Sequence, residues 1–152
     1  MHFLPIALSK KLTMTLSASV MKLEELFDEL RSPYHCGSHP SATHIVAARN
    51  PLCGDEVTWY LCVNGEKVEA VWHEARGCAI SQIAASLLCR YVEGRTKTDL
   101  MQLTPADILT LVNIPLNPVR QRCALLSLEA LHQCISRPTR MPTAGGTSKL
   151  PG

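Results

Sequence analysis

The stretch EVTWYLCVNGEKVEAVWH, residues 56–73, decides the fold. Asn64-Gly65 stands between two runs rich in β-branched and aromatic residues, Glu56 to Val63 and Glu66 to His73. Asn-Gly readily takes positive φ at both central positions, so the pattern reads as a β-hairpin closed by a two-residue type I′ turn. That turn implies a register in which Val63 faces Glu66, Leu61 faces Val68, Trp59 faces Ala70 and Val57 faces Trp72. One face would then be almost wholly apolar, and Thr58, Tyr60, Cys62, Lys67, Glu69 and His73 would lie on the other. A lone hairpin is marginally stable in water, and Thr43 to Ala47 offers a third strand.

Outward from the hairpin the period changes. Ile80, Ile83, Ala84, Leu87, Leu88 and Tyr91 make a helical stripe from Ala79 that ends at Gly94, a residue suited to a left-handed cap. Thr104-Pro105-Ala106-Asp107 combines a hydroxyl cap, a proline at the first helical position and a carboxylate at the third. Asn117-Pro118 repeats the device and starts a helix running to about Ile135 that buries Leu125, Leu128 and Leu131. Upstream, Ser19 caps a helix with Val20, Leu23, Phe27 and Leu30 at helical spacing, stopped near Ser32 by Pro33. The expected fold is α+β: a small antiparallel sheet of about three strands packed against several helices. Residues 1–16 read as a flexible segment and 137–152, with three prolines and three glycines, as a disordered tail, leaving 17–136 as the folded domain. Met14 and Met21 are both possible starts.

At 152 residues the chain is the size of one compact domain. A net charge of +2 with no Lys/Arg stripe excludes the concentrated basic face that grips nucleic acid or anionic lipid. No apolar run reaches the roughly 18 residues that span a bilayer, since Pro5, Lys10 and Lys11 interrupt the N-terminal one. A soluble, cytoplasmic protein is expected. The seven cysteines are an odd number with no secretory leader in view, so reduced thiols are expected rather than a disulfide framework.

The hairpin brings some of those thiols together. Cys53 and Asp55 precede its first strand and Cys78 follows its second, so all three fall at the end opposite the turn. Asp55 is two residues before Val57, which puts its carboxylate on the apolar side, at the rim of the core. Gly54 and Gly77 permit tight turns and close approach of backbone to a bound ion. Cys78 opens a helix, whose N-terminal dipole favours thiolate over thiol. Cys123, in the second turn of the last helix, needs only tertiary packing to join them. Three thiolates and one carboxylate suit zinc or iron, with the hard oxygen holding a soft ion less securely than a fourth thiolate.

Asn50-Pro51-Leu52-Cys53-Gly54-Asp55, Gly77-Cys78-Ala79-Ile80-Ser81 and Arg122-Cys123-Ala124-Leu125, in this order, resemble the NifU/IscU/SufU family of iron-sulfur cluster assembly scaffolds. The resemblance runs from about Leu23 to Ile135 and implies an IscU/SufE-like fold for the scaffold domain. It implies that Cys53, Asp55, Cys78 and Cys123 are the ligands of a transient [2Fe-2S] cluster or of Zn²⁺, and that the three cysteines are candidate sulfur acceptors. The implied partners are a cysteine desulfurase and apo iron-sulfur acceptor proteins. The spacing of Cys78 and Cys123 is similar to the short IscU form, whereas the residues around them look more like SufU, and Arg122 stands where IscU proteins have histidine. Ile114 to Arg120 only partly resembles the segment that chaperones recognise in IscU, which leaves a chaperone as a possible further partner.

Two functions follow from the resemblance. In the first the chain is a scaffold rather than an enzyme, assembling a cluster and surrendering it. In the second it is a SufU-like, zinc-dependent sulfurtransferase that accepts persulfide from the desulfurase. A structural zinc site is disfavoured by the aspartate, because closed sites use Cys and His. Cys62 and Cys89 read as packing residues. Cys134 lies roughly 16 Å along the helix from Cys123 at 1.5 Å per residue. His35, Cys36, His39 and His44 fit no zinc spacing and read as a solvent-facing loop. Arg122 either steadies the Cys123 thiolate or points to solvent.

Overall fold

In a computed structural model of the chain, residues 22–137 are described. The expectations for residues 1–16, for the Ser19 cap and Val20, and for the tail beyond Arg137 lie outside them.

The sheet has three antiparallel strands in the order β1 (His44–Arg49), β2 (Glu56–Asn64) and β3 (Lys67–Arg76). Helix α1 covers residues 22–31, and α2 (Ala79–Val92), α3 (Lys97–Met101), α4 (Pro105–Val112) and α5 (Pro118–Ser136) follow the sheet. The α+β expectation holds, and the third strand, expected over Thr43 to Ala47, is β1, which pairs with β2 on the side away from β3. Thr104 and Asp107 exchange the side-chain and backbone bonds of a capping box, and Asn117 accepts from the Arg120 N–H. Helix α3 carried no periodic signal, being only five residues long.

The hairpin register differs from the expected one. Asn64 pairs with Lys67, so Gly65-Glu66 forms the turn. Only Gly65 takes positive φ there (+63°), the requirement of a type II′ rather than a I′ turn. Val63 faces Val68, Cys62 faces Ala70, and Glu69 is left unpaired as a one-residue bulge. Beyond it Trp59 faces His73 and Glu56 faces Arg76. Because side chains alternate with period two, the bulge exchanges the faces of β3. Val71 and His73 go into the core, while Ala70 and Trp72 move to the outer, half-buried face.

Helices α2 and α5 cover the inner face, where Val57, Trp59, Leu61, Val68, Val71, Leu88 and Leu131 are fully buried. Trp59 Nε1 donates to the Ser127 carbonyl oxygen at 2.9 Å, fastening the central strand to α5. On α5, Leu128 and Leu131 are buried as expected, with Leu125 half-buried. On α2, Tyr91 is exposed, its ring under the Arg95 guanidinium.

Helix α1 presents another stripe than its apolar spacing suggested. Leu23 and Phe27 are exposed, whereas Leu26 and Glu29 are buried. The Glu29 carboxylate accepts from Ser86 Oγ and from Arg90 Nε, so its burial is compensated. The histidine loop is more closely packed than expected. His35 stacks between Tyr34 and Trp72, Cys36 bridges to His73, and His44 is buried in β1.

His73 has a measurable consequence. Its Nε2 is 2.9 Å from the Tyr34 carbonyl oxygen and so carries the proton, while the buried Nδ1 has no partner among the described residues. Burial outweighs the bond to Tyr34 and lowers its pKa, so the folded protein favours neutral imidazole. Below the unfolded-state value of about 6.5, the unfolded chain binds the extra proton first, and stability falls as pH falls toward the folded value. The urea midpoint is expected to drop between pH 7 and pH 5. Comparison with His73→Phe checks this, since that variant should lose part of the slope; an unchanged slope would assign it to other groups.

Candidate metal centre

The open end of the hairpin gathers the chemistry. After β1, the turn from Asn50 is held by Gly54 N–H donating to the Asn50 carbonyl (2.7 Å) and Leu52 N–H to Asn50 Oδ1 (3.0 Å). This turn lifts Cys53 to the surface and returns Asp55 inward, where it is 1% exposed. Cys78 caps α2 with extended backbone and is half-buried, and Cys123 on α5 is buried.

One ligand atom each from Cys53, Asp55 and Cys123 lies within 4.8 Å of the other two. Ligands around tetrahedral zinc at 2.3 Å are about 3.7 Å apart, so a contraction of the order of 1 Å would close this set on an ion. The Cys78 thiol falls outside it and lies 3.7 Å from Ser81 Oγ.

Asp55 is held from two directions. The Cys78 N–H donates to Oδ1 at 3.0 Å and the Ser81 hydroxyl to Oδ2 at 2.5 Å, and Ser81 Oγ also lies 3.2 Å from the Cys123 carbonyl oxygen. Each carboxylate oxygen keeps a second lone pair for an ion. Burial alone would favour the protonated acid, but these two donors and the thiols of Cys123 and Cys78 hold the pKa well below the ordinary range. Cys123 moves the opposite way. Burial, followed by its bond to Asp55 and the proximity of Cys78, pushes its thiol up to about 12. Metal binding here therefore displaces a proton from Cys123.

Gly77 has the positive φ of a tight turn, and it also makes room for Asp55. A Cβ at Gly77 would lie 2.0 Å from Asp55 Oδ1 and 2.9 Å from Asp55 Cα, and its φ is +113°. The missing side chain admits the aspartate. Ser81 had no assigned role in the sequence reading. A polar residue three positions after the Cys78 cap, inside the buried stripe of α2, is the signal that could have found it.

The remaining thiols lie elsewhere. Cys89 and Cys134 are buried in the core, and burial raises both, Cys134 to about 12. Cys62 is on the outer sheet face, 3.5 Å from His39 Nδ1, and Cys36 is exposed. Replacing Cys62 or Cys89 by alanine should leave metal stoichiometry unchanged; losing one equivalent by elemental analysis would mean that the thiols are wrongly sorted.

Residues 21–143 match the family model described as the NifU-like N terminal domain. The bifunctional protein NifU/MnmA of Rubrobacter xylanophilus is 33% identical over 109 residues, 71% of this chain, but the chain spans only 22% of that protein. The iron-sulfur cluster assembly scaffold protein IscU of Thermotoga maritima is 26% identical, covering 80% of this chain and 96% of the relative. The zinc-dependent sulfurtransferase SufU of Bacillus subtilis is 28% identical, covering 61% and 75%. Among solved structures, a proposed cluster assembly scaffold protein for the SUF system from Fervidobacterium islandicum superimposes with a TM-score of 0.62 at 25% identity. That match covers 73% of this chain and 93% of the other.

Proposed function

The chain belongs to the NifU-like N terminal domain family, and from that premise we propose that it is a scaffold for iron-sulfur cluster assembly. A transient [2Fe-2S] cluster is its cargo, held by Cys53, Asp55, Cys78 and Cys123. The observation that carries this reading is the approach of Cys53, Asp55 and Cys123 to within 4.8 Å, with Cys78 next to them through the hydrogen bond its backbone N–H donates to Asp55 Oδ1. Cys78 joins by turning its thiol away from Ser81 about the Cα–Cβ bond. The donor set fits a soft ion through its sulfurs and a releasable one through its oxygen. Cys53, exposed at the tip of its turn, is the thiol that a cysteine desulfurase reaches first, and apo acceptor proteins take the cluster from the same side. Holding and passing on cargo requires no turnover of a small substrate, so the protein acts as a carrier rather than as an enzyme. No helix among the described residues is long and apolar enough to cross a membrane.

A second reading is favoured by the sequence around Cys78 and by Arg122 beside Cys123. In it Zn²⁺ occupies the same four ligands, and one cysteine is released to accept persulfide. Anaerobic purification with zinc, iron and acid-labile sulfide quantified, followed by iron and a desulfurase, separates the two. Sulfide and iron in equal amounts support the scaffold. Zinc that resists replacement, with persulfide on one cysteine, overturns it in favour of the sulfur acceptor.

A further inference from the structure

The two edges of the sheet are finished differently. Along β3, the His73 N–H donates to the His35 carbonyl oxygen at 3.1 Å and the Gly37 N–H to the His73 carbonyl at 2.7 Å. Nearer the turn, the Val68 N–H donates to the Arg95 carbonyl at 2.9 Å and the Gly94 N–H to the Val68 carbonyl at 2.8 Å. The chain itself closes that edge. On the other side, Asn50 gives the phase of the β1–β2 ladder, its N–H donating to the Asp55 carbonyl at 2.8 Å. Stepping back by twos through the register, Ala48 bonds with Val57 and Val46 with Trp59, so Ile45, Ala47 and Arg49 turn their N–H and C=O groups away from β2. Among the described residues no backbone group bonds to them from outside the sheet. Strand β1 also lacks the usual guards of an open edge. It holds no proline, lysine or acidic residue, its one arginine is at the end, and Ile45 is 49% exposed.

We infer that β1 is the interface of a homodimer, pairing antiparallel with β1 of a second copy about a two-fold axis at Ala47. On that axis every outward group is used: Ala47 exchanges both bonds with Ala47 of the second copy, and Ile45 with Arg49 of the second copy, in both directions. The helix beneath selects a second copy over a foreign strand. Trp59, opposite Val46, is bonded to Ser127, and Arg49 and Pro51 line the same groove as Arg122, so α5 runs against the direction of β1. One strand residue of about 3.3 Å matches about two helix residues of 1.5 Å each. The level of Ala47 therefore falls near Leu125, midway between Arg122 and Glu129. The same axis lays the two α5 helices antiparallel beneath the joined sheet, with Arg122 facing Glu129 of the second copy and the reverse. Neither side chain has an ionic partner among the described residues of its own chain. The interface does not rest on the scaffold reading, since it involves none of the four proposed ligands.

Sedimentation equilibrium of the full chain under reducing conditions, up to about 1 mM, tests the inference. A reversible dimer is expected. As concentration rises, the amides of Ile45, Ala47 and Arg49 should exchange more slowly, while those of Val46 and Ala48 are protected throughout. Ala47→Pro removes only an outward N–H, which an edge strand tolerates, so it should keep the urea midpoint and metal content yet sediment as a monomer. Arg122→Glu and Glu129→Arg should each weaken the dimer about ten-fold or more by opposing like charges twice. Combined, they should restore it. A monomer at every concentration overturns the inference, as does a dimer that survives Ala47→Pro, or charge reversals whose losses add instead of cancelling. Slow exchange of Ile45, Ala47 and Arg49 in a monomer also overturns it, giving the edge to another segment of the chain. If Ala47→Pro lowers the urea midpoint, the charge reversals decide alone.

Discussion

Gly77→Ala is expected to lower stability by about 3–5 kcal/mol, the range of severe single-site effects with a named cause. The cause is double. Alanine is strained at φ +113°, and its Cβ would meet the Asp55 carboxylate at 2.0 Å and the Asp55 backbone at 2.9 Å. The side-chain oxygen could swing away only by breaking its bond with the Cys78 amide, and the backbone belongs to the turn that starts β2. Relief therefore requires separating the two ends of the hairpin where the thiols meet. Gly54→Ala is the control. Gly54 also has positive φ, +77°, but nothing lies within 4 Å of a Cβ there, so only the left-handed strain of about 1–2 kcal/mol is expected. Urea midpoints and metal stoichiometry check both variants. Equal losses would show that the contact with Asp55 has no energetic weight.

Asp55→Ala is expected to cost about 2–4 kcal/mol, because it leaves the Cys78 amide without its acceptor and the Ser81 hydroxyl with only the more distant Cys123 carbonyl. A double-mutant cycle isolates the pair. Ser81→Ala should be costly in the wild type and nearly neutral in the Asp55→Ala background, a coupling of about 1–3 kcal/mol. Additive losses would mean that Ser81 acts through its carbonyl contact with α5 instead. For cargo, Asp55→Ala should leave metal or cluster on the three thiols but slow its departure, since the removed ligand is the hard oxygen among soft ones. Transfer to an apo acceptor protein, followed by its absorbance, measures this. Binding losses as large as those of Cys78→Ser would contradict the idea that the oxygen makes the cargo releasable.

The thiol end of the fold was legible because it depends on antiparallel pairing, not on the exact turn. Moving the turn to Gly65-Glu66 and inserting a bulge at Glu69 left the two strand ends together. It refined the outcome by pairing Glu56 with Arg76, which sets Asp55 against Gly77. The bulge itself was not legible: strict alternation sets Val68, Ala70 and Trp72 together on an apolar face, and only tertiary burial chooses Val71 and His73 in place of the last two. The buried face of α1 was hidden for a related reason. Apolar spacing favoured Leu23 and Phe27, and only the partners on α2, Ser86 and Arg90, make Glu29 a tolerable interior residue. Ser81, and the contact of Gly77 with Asp55, escaped because both are directed at Asp55 across the fold, which neighbouring residues do not reveal.

The bond from Trp59 Nε1 to the Ser127 carbonyl gives the molecule an internal optical gauge. Its two tryptophans differ in surroundings: Trp59 is sealed in the core against the helix that bears Cys123, and Trp72 is half-buried against the His35 ring. Blue-edge emission belongs to the first and red-edge emission to the second. Any displacement of α5 during loading or release would therefore register at the blue edge alone, allowing cargo traffic to be timed without an attached dye.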